Sequence, residues 1–141
     1  QKVGEYNMET KFTVKDFMSK ELISFQPDTQ MEFAISNLLE NKISGAPVVD
    51  NSGALVGMLS EKDCLSTLFE STYYNNPSGH VSDYMTTELI TVDCDMSLAD
   101  VAKKFMETRF RRYPVIQDGK LVGQISRRDI LRAINQQLKQ V

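Results

Sequence analysis

Two short constellations in this 141-residue chain carry residue types that could hold a ligand. Gly57, Ser60 and Asp63 stand at the spacing Gly-x-x-Ser-x-x-Asp, and Gly123, Ser126 and Asp129 repeat it. A serine hydroxyl donates and accepts, whereas an ionised aspartate only accepts. At the start of a helix such a pair has two uses. It can close a capping box, the Ser oxygen accepting the N3 amide while the acid reaches back, and an acid in the first turn suits the helix dipole. It can also serve a ligand, because free N–H groups and partial positive charge make a helix start an anion site. The hydroxyl would then donate to a phosphate or ribose oxygen, and the carboxylate would accept from paired ribose hydroxyls. Asp is shorter than the Glu or Gln of the usual box, which tilts the reading toward a ligand.

Charge separates the two constellations. Arg109, Arg111 and Arg112 precede the strand at Pro114, and Arg127 and Arg128 fall in the first turn of the last helix. Cations there oppose the dipole, so a phosphate gives them a purpose, and guanidinium groups donate to it at two points. In the first copy Ser44 and Gly45 replace Arg111 and Arg112, and Glu61 replaces Arg127. The second site is therefore preferred, and the first suits a less negative ligand or none. A nucleobase would need an apolar slot. Met85, Ile90, Val115 and Ile116 are candidates beside the second site, and Met18, Ile23, Val48 and Val49 beside the first. All of them also fit core packing.

The elements that must position these residues are written twice. Val14-Lys-Asp-Phe-Met18 matches Val81-Ser-Asp-Tyr-Met85, Pro47-Val-Val49 matches Pro114-Val-Ile116, and Gly53-Ala-Leu-Val-Gly57 matches Gly119-Lys-Leu-Val-Gly123. Seventeen of about 50 aligned positions are identical, where chance would leave about three. Each copy reads as a helical turn (Val14–Met18, Val81–Met85) and a brief strand (Leu22–Phe25, Leu89–Val92). An amphipathic helix follows (29–41, 97–108) with apolar residues three and four apart, capped by Asp28 in one copy and by Asp95 or Ser97 in the other. A hairpin comes next, turning at Asp50–Gly53 or at Asp118-Gly119, and then a last helix from Ser60 to about Phe69 or from Ser126 to about Leu138. The order is β-α-β-β-α, twice. The expected organisation is a lead-in over 1–10, one repeat over 11–71, a linker over 72–80 and a second repeat over 81–141. A repeat of about 60 residues has a small core of its own. The expected fold is thus α/β (α+β), with two repeats packed in pseudo-twofold symmetry, sheets facing each other, helices outside and two related clefts.

Composition narrows the function. A net charge of −3 and a pI near 5.2 speak against a duplex nucleic-acid binder. Single-stranded nucleic acid on Arg109–Arg112 with Phe110 and Tyr113 stacking is a lesser alternative. No apolar run reaches the roughly 18 residues of a membrane span, and residues 1–10 lack the apolar stretch of a secretory signal. Cys64 and Cys94 have no CxxC partner and read as reduced thiols, which places the chain in the cytoplasm. His80 is alone in a polar linker, so no metal site and no nucleophile–base set is expected, and the chain does not read as an enzyme.

Val14-Lys-Asp-Phe-Met18, Ile43-Ser-Gly-Ala-Pro-Val-Val-Asp50 and Leu55-Val-Gly-Met-Leu-Ser-Glu-Lys-Asp63, echoed by Tyr113-Pro-Val-Ile116 and Gly123-Gln-Ile-Ser-Arg-Arg-Asp129, resemble the CBS domain, named for cystathionine β-synthase. The resemblance covers 14–138 and implies a tandem pair, or Bateman module. It implies AMP, ADP, ATP or S-adenosylmethionine in the inter-repeat clefts, no required cofactor, a homodimer, and regulation of another protein without catalysis. In that family the residues matching Asp63 and Asp129 bind ribose, those matching Ser60 and Ser126 lie by phosphate, those matching Ser24 and Thr91 approach the base, and nucleotide binders often carry basic residues at the positions of Arg111 and Arg112. A module that binds nothing and serves assembly alone is the main alternative.

Overall fold

The computed structural model describes residues 12–74 and 79–139. The described chain runs α1 (Val14–Phe17), α2 (Met31–Glu40), β1 (Gly45–Val49), β2 (Leu55–Ser60), α3 (Glu61–Tyr74), a 3-10 turn (Val81–Asp83), β3 (Val92–Asp93), α4 (Leu98–Glu107), β4 (Arg112–Gln117), β5 (Lys120–Ser126) and α5 (Arg127–Lys139). Both copies follow one plan, but the compact units are not cut where the repeats are. One unit runs from Ile23 to Leu89; the other joins the chain up to Leu22 with the chain from Ile90 onward. Each copy's leading turn thus belongs to the unit built from the other copy.

Glycine explains the exchange. A Cβ on Gly57 would stand 2.5 Å from Met85 Sδ and 3.2 Å from the Thr86 carbonyl oxygen. A Cβ on Gly123 would stand 2.7 Å from both Met18 Sδ and the Ser19 carbonyl oxygen. Each glycine is buried mid-strand, where it normally weakens a strand or marks the close approach of other backbone. Here the approach is realised. Thr86 and Met58 exchange backbone hydrogen bonds of 2.9 and 3.0 Å, and Ser19 and Gln124 exchange bonds of 2.8 and 3.0 Å.

In the unit Ile23–Leu89, β1 and β2 pair antiparallel, with Gly45 opposite Ser60 and Val48 opposite Gly57. The brief strand expected at Leu22–Phe25 shrinks to one parallel bridge between Phe25 and Val48. Met31, Ala34 and Leu38 put one face of α2 into a core with Phe25, Val48, Leu59 and Val81. Asp28 does not cap α2; Gln30 occupies the cap position. The Thr29 amide donates to the Gln26 carbonyl at 3.0 Å, so Pro27 and Asp28 are spent on a turn ahead of the helix. Helix α3 continues to Tyr74, beyond the expected end near Phe69 and into the expected linker. The first breaker, Pro77, comes only later and lies outside the described residues. Gly79 and His80 return to α2, the Gly79 carbonyl accepting from the Met31 amide at 2.9 Å.

In the other unit β3 runs parallel to β4, and β4 antiparallel to β5. Asp118 and Gly119 both take positive φ, 51° and 78°, as a two-residue hairpin turn requires. Ser97 caps α4, its Oγ accepting from the Asp100 amide at 3.1 Å. Leu98, Val101 and Phe105 of α4 and Ile130 and Ala133 of α5 close over Tyr113, Val115 and Ile125. The Tyr113 hydroxyl is satisfied by Thr108 Oγ1 at 2.7 Å.

Candidate functional site

Both Ser–Asp pairs close capping boxes. The Ser60 amide donates to Asp63 Oδ2 at 2.9 Å, and the Asp63 amide donates to Ser60 Oγ at 3.1 Å. The Ser126 amide donates to Asp129 Oδ2 at 2.8 Å, and the Asp129 amide to Ser126 Oγ at 3.2 Å. The box uses one Ser lone pair and one carboxylate oxygen. It leaves the Ser O–H proton and the second carboxylate oxygen, Oδ1, for other work. Capping and ligand contact therefore do not compete for the same atoms.

What each Oδ1 meets differs. Asp63 Oδ1 accepts a long hydrogen bond, 3.4 Å, from Thr86 Oγ1. These two residues share a cavity of about 590 Å³ with Ser60, Lys62, Ser66, Glu70, Asp83 and Tyr84, a size within the usual range of small-molecule sites. Lys62 is the one cation among three carboxylates in that lining. Tyr84 donates to Glu70, and this hydrogen bond, helped by partial desolvation and the Glu70 charge, pushes the phenol above its ordinary value. Such a lining accepts hydroxyl or cationic groups and repels stacked phosphates.

Asp129 Oδ1 instead accepts from Arg132 Nη1 at 2.6 Å. Arg112 lies opposite Ser126 in the β4–β5 ladder, in the place that Gly45 takes opposite Ser60. The Arg111 carbonyl accepts from the Arg127 amide at 3.1 Å. The backbone thus brings Arg111, Arg112 and the Ser126–Asp129 helix start together, and Arg111 and Arg128 are exposed. The Arg127 side chain goes elsewhere: its guanidinium lies 6.0 Å from the Phe105 ring centre and 3.5 Å from the Thr108 carbonyl oxygen. There it lines a groove of about 470 Å³ with Phe105, Met106, Thr108 and Leu131. The Phe105 ring face is a reason of its own for a cation that the dipole disfavours.

The expected base contacts divide in the same way. Val48 and Val115 have no exposed surface and serve the two cores. Met85 packs in the unit of Ser60, and Met18 in the unit of Ser126, the reverse of their assignment by repeat. Ile23 is half-buried against its core, Ser24 is exposed, and Ser44 is exposed with its carbonyl taken by the Glu61 amide at 2.9 Å. Val49, at the end of β1, is half-buried; in the other unit Thr91 is half-buried, Ile90 is 41% exposed, and Ile116 is a half-buried strand residue. Thr86, Lys62, Ser66, Asp83 and Tyr84 were missed. The signal for Thr86 was its place directly after the Met85 that closes the leading turn, matching Ser19 after Met18.

Asp93, Cys94 and Asp95 have ligand-type atoms within 4.8 Å of one another. Lys15 holds Asp95 at 3.1 Å, and Asp93 Oδ1 accepts the Asp95 amide at 2.9 Å, so the cluster is a salt-bridged turn. Cys64 is half-buried, and desolvation followed by the Asp63 and Glu61 charges raises its thiol above the ordinary value. Among the described residues no helix is long and apolar enough to cross a membrane.

A model of the CBS domain matches residues 14–70 and 81–136. The chloroplastic CBS domain-containing protein CBSX1 of Arabidopsis thaliana is 35% identical over an alignment covering 86% of this chain and 64% of that protein. The chain spans between 42% and 64% of the first curated relatives that it matches. The crystal structure of Arabidopsis CBSX2 in complex with AMP superposes with a TM-score of 0.77 at 36% identity, over 89% of this chain and 97% of that one. The CBS domain pair of protein MJ0100, in complex with 5-methylthioadenosine and S-adenosyl-L-methionine, gives a TM-score of 0.68 at 27% identity over 89% and 97% of the two chains.

Proposed function

The chain belongs to the CBS-domain family, and on that premise we propose that it is a non-catalytic regulatory module that binds an adenine nucleotide and reports it to a partner protein. The observation that carries this reading is the pair of helix starts whose capping boxes leave a Ser O–H and an Asp Oδ1 unspent. Ribose presents two adjacent hydroxyls, and a carboxylate oxygen outside the box is an acceptor for them, sharing its lone pairs with Thr86 in one unit and Arg132 in the other. The AMP complex of a relative 36% identical supports the ligand class.

The two sites take different members of that class. Ser126 and Asp129, with Arg111, Arg112 and Arg128, suit AMP, ADP or ATP, because guanidinium groups answer phosphate charge. Arg132 must share Asp129 with the ribose or swing away on binding. Ser60, Asp63 and Thr86 stand in an acidic lining and suit a nucleoside with little negative charge or a cationic one such as S-adenosylmethionine, a ligand type present in the MJ0100 complex. The module works as a homodimer, since Leu65, Leu68, Leu131 and Leu138 leave apolar helix surface in water.

A thermal-shift panel with AMP, ADP, ATP and S-adenosylmethionine tests the reading, because a ligand of the folded state raises the melting temperature. A rise of several degrees with at least one of them is expected. No rise with any at millimolar concentration leaves a module that acts by assembly alone and ends the nucleotide reading.

A further inference from the structure

The two Ser–Asp pairs part company one helical turn on. Three residues after Asp129 stands Arg132, and three after Asp63 stands Ser66. Positions three apart share a helix face, so each acid has that residue as a neighbour. The Arg132 guanidinium donates to Asp129 Oδ1 at 2.6 Å. In the first repeat the matched Ser66 is short and uncharged, and it lines the cavity of about 590 Å³ beside Ser60, Asp63 and Thr86. Asp63 Oδ1 there takes a long 3.4 Å bond from Thr86.

The Arg132 contact falls on the atom that a ribose needs. Asp129 Oδ2 is spent on the Ser126 amide at 2.8 Å, which leaves Oδ1 as the acceptor for a diol. The Asp129 side chain is 12% exposed, and the Arg132 side chain is 64% exposed. The carboxylate is sheltered, while the guanidinium on Oδ1 stands in water and can leave without disturbing the core. A helix-surface ion pair with both groups in water contributes little to stability. Here one partner is the acid of the capping box, and the other covers its remaining oxygen. Ser126, Asp129 and Arg132 all belong to one unit, so this arrangement is complete within it.

We propose that Arg132 sets the affinity of the second site, as an internal occupant of the ribose acceptor that a nucleotide must displace. Only molecules with Arg132 released are competent to bind, and the apparent affinity falls by that fraction. The cost is the same for adenosine and for its phosphates, because all bring the same ribose. Arg132 thereby raises the concentration at which the site fills, and Ser66 imposes no such cost on the first site. This inference rests on the nucleotide reading of Ser126 and Asp129 and deepens it by naming what regulates that site.

Titration calorimetry with adenosine, in a chain carrying Asp63→Ala to silence the first site, is the test. Adenosine is uncharged, so the loss of a cation does not act on it through phosphate. Adding Arg132→Gln should tighten adenosine about three- to tenfold, the scale of a partly exposed ion pair. ATP should gain less, since the variant also removes a positive charge from the unit. Arg132→Lys should return part of the original affinity, because an ammonium holds a carboxylate without the two-point fork. In the unaltered chain the Arg132 guanidinium nitrogen signals should shift in NMR on saturation with AMP, as a paired group becomes free. Melting curves verify that the variants fold. Adenosine binding that is unchanged or weaker in Arg132→Gln overturns the proposal and leaves the nucleotide reading. Arg132 signals that stay still while AMP binds do the same, as does binding that vanishes with Asp63→Ala alone and stays absent when Arg132→Gln is added. No binding of adenosine, AMP or ATP to any of these chains overturns the nucleotide reading, and the role of Arg132 with it.

Discussion

The unit Ile23–Leu89 and its counterpart are built from one repeated text, yet they differ at three matched places around the Ser–Asp pair. Across the strand from Ser60 stands Gly45, and across from Ser126 stands Arg112. A Cβ on Gly45 would lie 2.9 Å from the Leu59 carbonyl oxygen, so the first unit has little room for the side chain that the second displays. Asp63 Oδ1 meets the Thr86 hydroxyl, whereas Asp129 Oδ1 meets the Arg132 guanidinium. Tyr84 stands where the other leading turn has Phe17, and it adds a hydroxyl and a Glu70 contact with no counterpart. Duplication preserved the capped helix start, which local geometry demands, and let the groups around it diverge in charge.

The most direct way to break this comparison is to delete the two acids in turn. Asp129→Ala should cost ATP affinity about 10- to 100-fold, the range of one charge-assisted hydrogen bond, and Asp63→Ala should cost it much less. Each variant keeps the Ser cap but loses the return bond from the Ser amide to the carboxylate, about 1 kcal/mol of stability, so titration calorimetry well below the melting temperature is the measurement. Equal losses would end the asymmetry. The glycines test the fold half of the comparison. Gly123→Ala drives a methyl against the Ser19 carbonyl, which is backbone, and should destabilise by about 1–3 kcal/mol in urea denaturation. Gly57→Ala meets first the end of the flexible Met85 side chain and should cost less.

A third variant sharpens the phosphate assignment. Arg111→Ala with Arg112→Ala should lower ATP affinity about tenfold and leave adenosine nearly unchanged, because guanidinium–phosphate pairs are lost only where phosphate exists. If adenosine suffers equally in calorimetry, those arginines do not face phosphate. The smallest effect concerns Tyr84. Its folded pKa lies above the ordinary 10.0, first through the hydrogen bond to Glu70. The linked stabilisation is therefore complete below pH 10 and fades as pH rises through the folded value. Ultraviolet titration should show a late-ionising phenol that Tyr84→Phe removes, with a slight stability loss confined to pH below that transition.

Much of the fold was legible because its determinants are close in sequence. The α4 face of Leu98, Val101 and Phe105, the Asp118-Gly119 turn and both Ser–Asp boxes depend on contacts within three or four residues. Asp28 misled because a turn residue and an N-cap carry the same chemistry, and Pro27 had already committed the chain to the turn. Arg127 misled because its position on the helix is readable while its rotamer is not; the Phe105 ring and the Thr108 carbonyl decide where it goes.

By itself, then, the amino-acid order determined that there are two copies, what each copy's elements are, and where a helix would begin with a Ser–Asp pair. Only the tertiary structure decided that each leading turn lies in the unit of the other copy, so that Thr86 faces Asp63 and Met18 covers Gly123. The reason is physical. Caps and helix faces are settled by neighbours along the chain, whereas the traded turns are held by backbone pairing and clearance between segments far apart in sequence, which no local pattern records.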